Sequence, residues 1–548
     1  MPPAPPSLLQ VGPALASNKG YTITFNKVSM VLSFCFVINL AAMPLKAYLS
    51  EPYPWADRAT STISVAIGAN ETYATYQENC LAFYRSRYND STLPRDILYY
   101  FDAEQDVELL RQAIRVVPPS EFTFSGIPGA LFYPTRARNW VREFSIGLRN
   151  ASSVGVVPMM SVFGQPFTIS GIWIETVNNT NTLYFAAQFS HSSRAWLITK
   201  FVYRCALTSL ILWQLWRDYY RHYLKLHANL VELGTSKDKS DVPLEIVVGD
   251  PTALILQNTL VCVLFVVDFW CSVDIAGQCF VRLDQLQNMV VFGIASLYLS
   301  RTVWFAYLIL NLTGRLLRRL HLERCIGQVA PTTVAIIVFV CAGPATLLQY
   351  HSGFFIEMYY FLFSLLAPSE DSVEDALSMT VYTLYLGSIP ICYGLTKALV
   401  QRIQERRATT TVHVRPLTSY GSLSSSEFAR FRFNDWKHRF FFYVFTKLSP
   451  QSLSTTYNGG TIYTIFETHQ NFQRNAAFSF RGGDCYVLAH YADRVESYRL
   501  SLCGCINLRD PRITMACAAN AAFGSVRLDD KAGTLLVTLG RDEAHWVL

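Results

Sequence analysis

The sequence predicts a polytopic α-helical membrane protein: about six transmembrane helices, an extracellular α+β domain and a small cytoplasmic α+β domain at the C-terminal end. Three observations predict it. There are six long apolar runs, the basic residues cluster in alternate connections, and four N-glycosylation acceptors lie in the one long segment between the first two runs. Hydrophobic residues make up 51% of the 548 and charged residues only 16%, against about 25% charged in ordinary soluble proteins.

A spanning helix needs roughly 20 mostly apolar residues. Val28–Leu49, Ala195–Trp216, Pro251–Cys271, Met289–Leu310, Pro331–Tyr350 and Met379–Val400 meet that requirement. A seventh run, Phe354–Leu366, is too short to span and fits a re-entrant or interfacial piece. The first run also has a signal-peptide reading, but the segment before it, with Pro2, Pro3, Pro5 and Pro6, is unusually long for a leader. The expected organisation is a Pro-rich cytoplasmic N-terminus (1–27), the first helix (28–49) and an outer domain (50–194). A five-helix bundle (195–400), a Ser-rich linker (401–427) and an inner domain (428–548) follow.

Orientation follows from the short loops. Arg217, Arg221 and Lys225 follow the second run, Arg315, Arg318, Arg319 and Arg324 the fourth, and Lys397, Arg402, Arg406 and Arg407 close the sixth. The 272–288 loop has only Arg282, and 351–378 has no Lys or Arg. Both termini are therefore expected in the cytoplasm. The acceptor sequences at Asn70, Asn89, Asn150 and Asn178 fall on the opposite side. A fifth, at Asn311, falls at an inner helix end and reads as a chance match. The end of the chain carries no retention or lipidation signal, so the plasma membrane or another secretory-pathway membrane is the default.

In the outer domain, Ala103–Val117 reads as an amphipathic helix capped by Asp102, with Val107, Leu109, Leu110, Ile114 and Val117 as its apolar stripe. Phe167–Val177 and Leu183–Phe189 read as a hairpin turning at 178–181. In the inner domain, Phe440–Phe445, Thr461–Phe466, Tyr486–His490 and Thr534–Leu539 read as strands.

The chemistry is sparse. There is no phosphate-cradling Gly-rich loop, no H-E-x-x-H, no C-x-x-C pair and no nucleophile elbow, so an enzymatic reading has nothing positive behind it and no cofactor or metal is expected. No Lys/Arg block interleaved with aromatics supports nucleic-acid binding. The functional candidates are charges inside apolar runs, which are costly and normally face protein or water. They are Arg204, Asp268, Arg301 and Glu357. They read either as a polar site or ion path, or as structure, with Arg204 clasping Asp268 and Arg301 snorkelling. An acidic cluster, Glu370, Asp371, Glu374 and Asp375, reads as a cation-concentrating pore mouth or as a solvated loop. Trp213, Trp216, Tyr219, Tyr220 and Tyr223 form an interfacial belt. Cys271 and Cys279 are a candidate outer disulfide, with Cys80 as an alternative tie to that loop. Cys503 and Cys505 read as reduced structural thiols, and Ser422, Ser424, Ser425 and Ser426 as phosphorylation candidates.

Six spans, a large outer domain after the first and an apolar dip between the last two resemble the layout of mucolipin and polycystin-type cation channels. The resemblance covers Val28–Val400 in order of elements only, and the dip lacks a Gly-acid filter. It implies a channel- or transporter-like protein. The alternative is a non-catalytic surface receptor or membrane-anchored binding module. The expected partners are the lipid bilayer, an extracellular ligand and a cytoplasmic protein.

Overall fold

The structure, a computed structural model, describes residues 21–55, 72–94, 99–102, 107–116, 133–146, 155–162, 165–177, 180–189, 193–235, 242–283, 288–346, 372–410, 454–479, 481–529 and 532–548, with a few isolated positions between them. The 1–20 segment, most of the Ser-rich linker, Phe440–Phe445, Asn70, Asn150, Asn178, Glu370, Asp371 and most of Phe354–Leu366 lie outside the described residues.

The described chain opens with β1 (Ile23–Phe25) and turns directly into α1 (Lys27–Ala42). Asn26 caps that helix, accepting from the Ser29 amide at 2.9 Å, which satisfies one of the orphan donors of the first turn. A tighter 3-10 turn, Pro44–Leu49, prolongs the helix and delivers Glu51 at its end.

The outer unit is a six-stranded sheet between two helices. The helices are α2 (Tyr73–Arg87) and α3 (Thr135–Ser145). The strands are β2 (Tyr99–Asp102), β3 (Val107–Val116), β4 (Met159–Val162), β5 (Gln165–Val177), β6 (Thr180–Phe189) and, from far downstream, Ser372–Glu374. Their order is β2-β3-β6-β5-β4, closed by a parallel pairing of β4 with Ser372–Glu374. Tyr76, Leu81 and Tyr84 of α2 pack on one face with Leu109, Trp173 and Tyr184. Trp140, Val141 and Phe144 of α3 share the other face with Leu110, Ile172 and Phe185. Gly171 allows the α2 approach, because a Cβ there would meet the Tyr84 ring at 2.8 Å.

Two readings of this unit are corrected. The segment Ala103–Val117 is not a helix. Its described core is β3, and Asp102 ends β2, where it accepts from Arg87 and Tyr88. A central strand covered on both faces needs apolar residues on both, so the alternation that would mark it is lost. Adjacent Leu109 and Leu110 enter opposite cores. The β5–β6 hairpin exists, but Val177 pairs with Thr180, so its connection is two residues long and not four.

The helical layer follows. The chain runs through α4 (Arg194–Leu215), a π-turn at Trp216–Tyr220 and α5 (Arg221–Leu233). After β7 (Leu244–Val247) come α6 (Thr252–Leu256) and α7 (Thr259–Trp270), and the chain then bends by 72° into α8 (Val273–Leu283). A 3-10 break at Ser300–Thr302 separates α9 (Met289–Leu299) from α10 (Val303–Arg319). The layer ends with α11 (Pro331–Ala342), the outer-sheet strand Ser372–Glu374, now β8, and the long α12 (Asp375–Thr410). Each of the six apolar runs thus carries helix. Three stretches, Arg194–Leu233, Met289–Arg319 and Met379–Ile403, are long and apolar enough to cross a membrane, and the bent α7–α8 pair makes a fourth if it is one span. The helices α1 and α11 are apolar but shorter. Close packing draws α12 onto α10, where a Cβ on Gly387 would sit 2.1 Å from Ile309 Cδ1.

The inner unit is not formed from 428–548 alone. Its larger sheet runs β1-β7-β10-β11-β15, with β9 also on β11. Here β9 is Ser454–Gly459, β10 Cys485–His490, β11 Arg494–Leu502 and β15 Trp546–Val547. A smaller sheet joins β12 (Ile513–Cys517), β14 (Thr534–Leu539) and β13 (Ser525–Asp529). The expected strand at Thr461–Phe466 is instead a helix, α13 (Thr461–Thr468). Its β-branched and aromatic residues favour strand locally, but Ile462, Ile465 and Phe466 fall on one helical face and bury together against Phe472 and Val526.

Three distant segments meet at Glu245 of β7, which accepts from Asn26 at 2.8 Å and lies 3.1 Å from His490 Nε2. The bond from His490 holds the Glu245 carboxyl below its ordinary value. A depressed carboxyl stabilises above its unfolded pKa, about 4.3, and that stability is lost as pH falls through the lower folded value. Glu245→Gln should therefore lower the melting temperature of the detergent-solubilised protein near neutrality and flatten its decline on acidification. Identical melting profiles across the acid range would contradict this.

Candidate functional site

The strongest polar constellation among the described residues is buried between the helices. Lys200 and Arg204 stand four residues apart on α4, so they share one face. Both reach Glu51. Arg204 donates to its two oxygens at 2.9 and 2.8 Å, and Lys200 Nζ lies 3.1 Å from Oε2. Arg204 Nε also donates to Asp268 of α7 at 2.8 Å. Arg301, in the 3-10 break between α9 and α10, donates to the other Asp268 oxygen and lies 3.4 Å from Glu51 Oε1. Tyr298 adds a hydroxyl bond to Glu51 at 2.8 Å, and Ser272, at the α7–α8 bend, accepts from Lys200 and Arg204.

Three cations thus close on two carboxylates, and all five side chains are buried, from 0% exposed for Glu51 and Arg204 to 7% for Arg301. The formal surplus of one positive charge faces aromatic rings. Arg204 stacks over Tyr48 and Arg301 over Tyr298, each at 4.9 Å, where ring quadrupoles favour a cation. The arrangement ties together the end of the first helix and α4, α7, α9 and α10.

Of the expected intramembrane residues, Arg204, Asp268 and Arg301 come together here. The clasp between Arg204 and Asp268 is present, but Arg301 does not snorkel: it completes the network. Glu357 stands apart and is exposed. The backbone of Glu374 ends β8, and Asp375 opens α12, so these two acids belong to a strand–helix junction on the outer sheet. Glu51, Lys200, Tyr298 and Ser272 were missed. Lys200 had a signal, the four-residue spacing from Arg204. Glu51 sits just past an apolar run, where an acid carries no signal of burial.

Cys271 and Cys279 are not joined: both are free thiols, Cys279 is buried in the helical core across the 72° bend, and Cys80, on α2 itself, faces the core between that helix and the outer sheet. Cys503 and Cys505 are buried in the inner core, and no group of metal-ligating side chains occurs among the described residues. Burial pushes the Cys503 thiol up to about 12, so it stays protonated and inert. Asn89 uses its side chain locally, donating to Arg85 O at 2.9 Å and accepting from the Ser91 amide at 2.8 Å. Asn311 is buried and takes a bond from Asn475 at 2.8 Å.

Removing one partner from a buried ion network strands the others and costs about 3–5 kcal/mol. Glu51→Gln should therefore sharply lower thermal stability in detergent, while Glu357→Gln leaves it unchanged. Equal melting temperatures for the two variants would refute the assignment. No protein-family model, curated protein or solved structure matches this chain.

Proposed function

We propose that this chain is a non-catalytic multi-pass membrane protein of the receptor or binding-module kind, in which a closed helical bundle couples an outer recognition unit to an inner docking unit. One observation carries the proposal. The charged side chains that a polar path would use, Arg204, Asp268 and Arg301, are paired with one another in a buried network. A single hydrophobic cluster also runs from Trp140 of α3 and Phe185 of the outer sheet, through Phe265 and Tyr307 of the helices, to Ala477 and Phe478 of the inner unit. Such a core transmits displacement and does not yield locally.

Six spans with both termini inside remain the arrangement that best organises the chain. The 16 residues of α1 rise about 24 Å, and the six-residue 3-10 turn adds about 12 Å, enough for a hydrocarbon core of about 30 Å. The connections assigned to the outside meet one another: Arg282 approaches Glu108 of β3, and β8 joins the outer sheet. Those assigned to the inside also meet, since β1, β7 and the C-terminal strands share one sheet. The channel layout, by comparison, rests on order of elements, and the Glu357 it would employ is apart from the network.

Two measurements test the reading. Purified protein in liposomes should conduct no ions. Sustained flux that disappears with Asp268→Asn would overturn the closed-bundle proposal. In cells, enzymatic deglycosylation should lower the apparent mass, and replacing Asn70, Asn89, Asn150 and Asn178 together with Gln should abolish the shift while Asn311→Gln leaves it intact. A shift that depends on Asn311 alone would reverse the orientation.

A further inference from the structure

Where the helices meet the inner unit, a cavity of about 470 Å³ opens between α4, α7, α10 and the loops carrying Arg474 and His545. Its volume is in the range of small-ligand sites, about 300–1,000 Å³. Four guanidinium groups line it: Arg221, Arg315, Arg318 and Arg474. Its single lining carboxylate, Asp218, is already held by Arg217 through bonds of 2.6 and 2.8 Å. Three of these arginines bond to neutral oxygens. Arg315 donates to Thr259 Oγ1, Arg474 lies 3.4 Å from Gly504 O, and Arg318 donates to Gln473 O while its buried Nε has no hydrogen-bond partner among the described residues. The N-terminus of α7, with Thr259 and Leu260 on the wall, adds its positive dipole end. A π-turn, Trp216–Tyr220, borders the cavity and carries Asp218 into it.

The cavity also has an apolar exit. Leu260 lines it and is 55% exposed. Val263 and Val267 continue that exposed face along α7, and Leu312 and Leu316 lie exposed on the neighbouring α10. We propose that this cavity binds the phosphorylated headgroup of an anionic phospholipid from the inner leaflet, with the acyl chains lying along the Leu260–Val263–Val267 face. The shared chemistry is a multiply charged phosphate ester, which a free inositol phosphate also has. The apolar face favours the lipid, and basic pockets between helices on the cytoplasmic side suit such headgroups. The proposal relies on the membrane orientation given above.

The test uses the full chain in phosphatidylcholine nanodiscs, probed with a fluorescent phosphatidylinositol bisphosphate. Co-elution of protein with discs reads membrane insertion separately, so its failure sinks the membrane reading, whereas failed binding in loaded discs sinks the site alone. The double substitution Arg315→Gln/Arg474→Gln, at two exposed positions, should weaken binding at least tenfold, while Arg509→Gln, an exposed arginine elsewhere on the inner unit, leaves it unchanged. Soluble inositol trisphosphate should compete at least tenfold less well than the bisphosphate lipid with full acyl chains. Unaltered binding by the double variant overturns the site. Equal competition by the soluble headgroup overturns the lipid and leaves a phosphate site.

Discussion

The helical layer depends on one buried charge network. Glu51 and Asp268 are poor tenants of an apolar bundle, and each is tolerable only because Lys200, Arg204 and Arg301 surround it. The converse holds for the cations. Desolvating any one of these groups alone costs several kcal/mol, so the five must be assembled together or not at all. That requirement sets the rotation of α4 through the Lys200–Arg204 face, the placement of the α7–α8 bend through Ser272, and the irregular backbone between α9 and α10 through Arg301. The helices α11 and α12 contribute no charge to it, and α12 is held by packing, as at Gly387 against Ile309 and Tyr382 against Phe280.

The two sheet units are interlocked with the bundle at either end. The outer sheet takes its last strand from the connection before α12, and the inner sheet takes β1 from the segment before α1 and β7 from the connection between α5 and α6. On the inner side Lys397 of α12 donates to Gln328 O at 2.5 Å, and Val329 pairs with Phe478. Neither sheet is complete without strands that are separated from it by helices. Relative motion of outer and inner units would therefore have to pass through the bundle and its charge network.

Much of the helical layer was legible because apolar length is a local signal. The six runs appear in one pass along the chain, and helices occupy them. What sequence reading missed was non-local. The inner sheet pairs Ile23–Phe25 with Leu244–Ile246 and those with Tyr486–Ala489, across hundreds of residues, and three- or four-residue strands carry too little pattern to announce such partners. The β3 segment misled because burial on two faces erases alternation. The α13 segment misled because its composition favours strand while its spacing favours helix. At the network, Arg204, Asp268 and Arg301 stood out as charges within apolar runs, whereas Glu51 lay just outside one and neutral Tyr298 carried no signal.

On the closed-bundle proposal the network is dry, and Ser272 offers the most direct probe of it. Its hydroxyl accepts from Lys200 at 3.3 Å and Arg204 at 3.2 Å, and it is 0% exposed. A Ser272→Cys change on a Cys271→Ser background places a thiol of nearly the same size among the charges. In proteoliposomes, a small charged thiol reagent supplied from either face should leave that thiol unmodified until the protein is denatured. Rapid modification in the native state from either side would mean that water reaches the network, and the account of a sealed coupling bundle would be wrong.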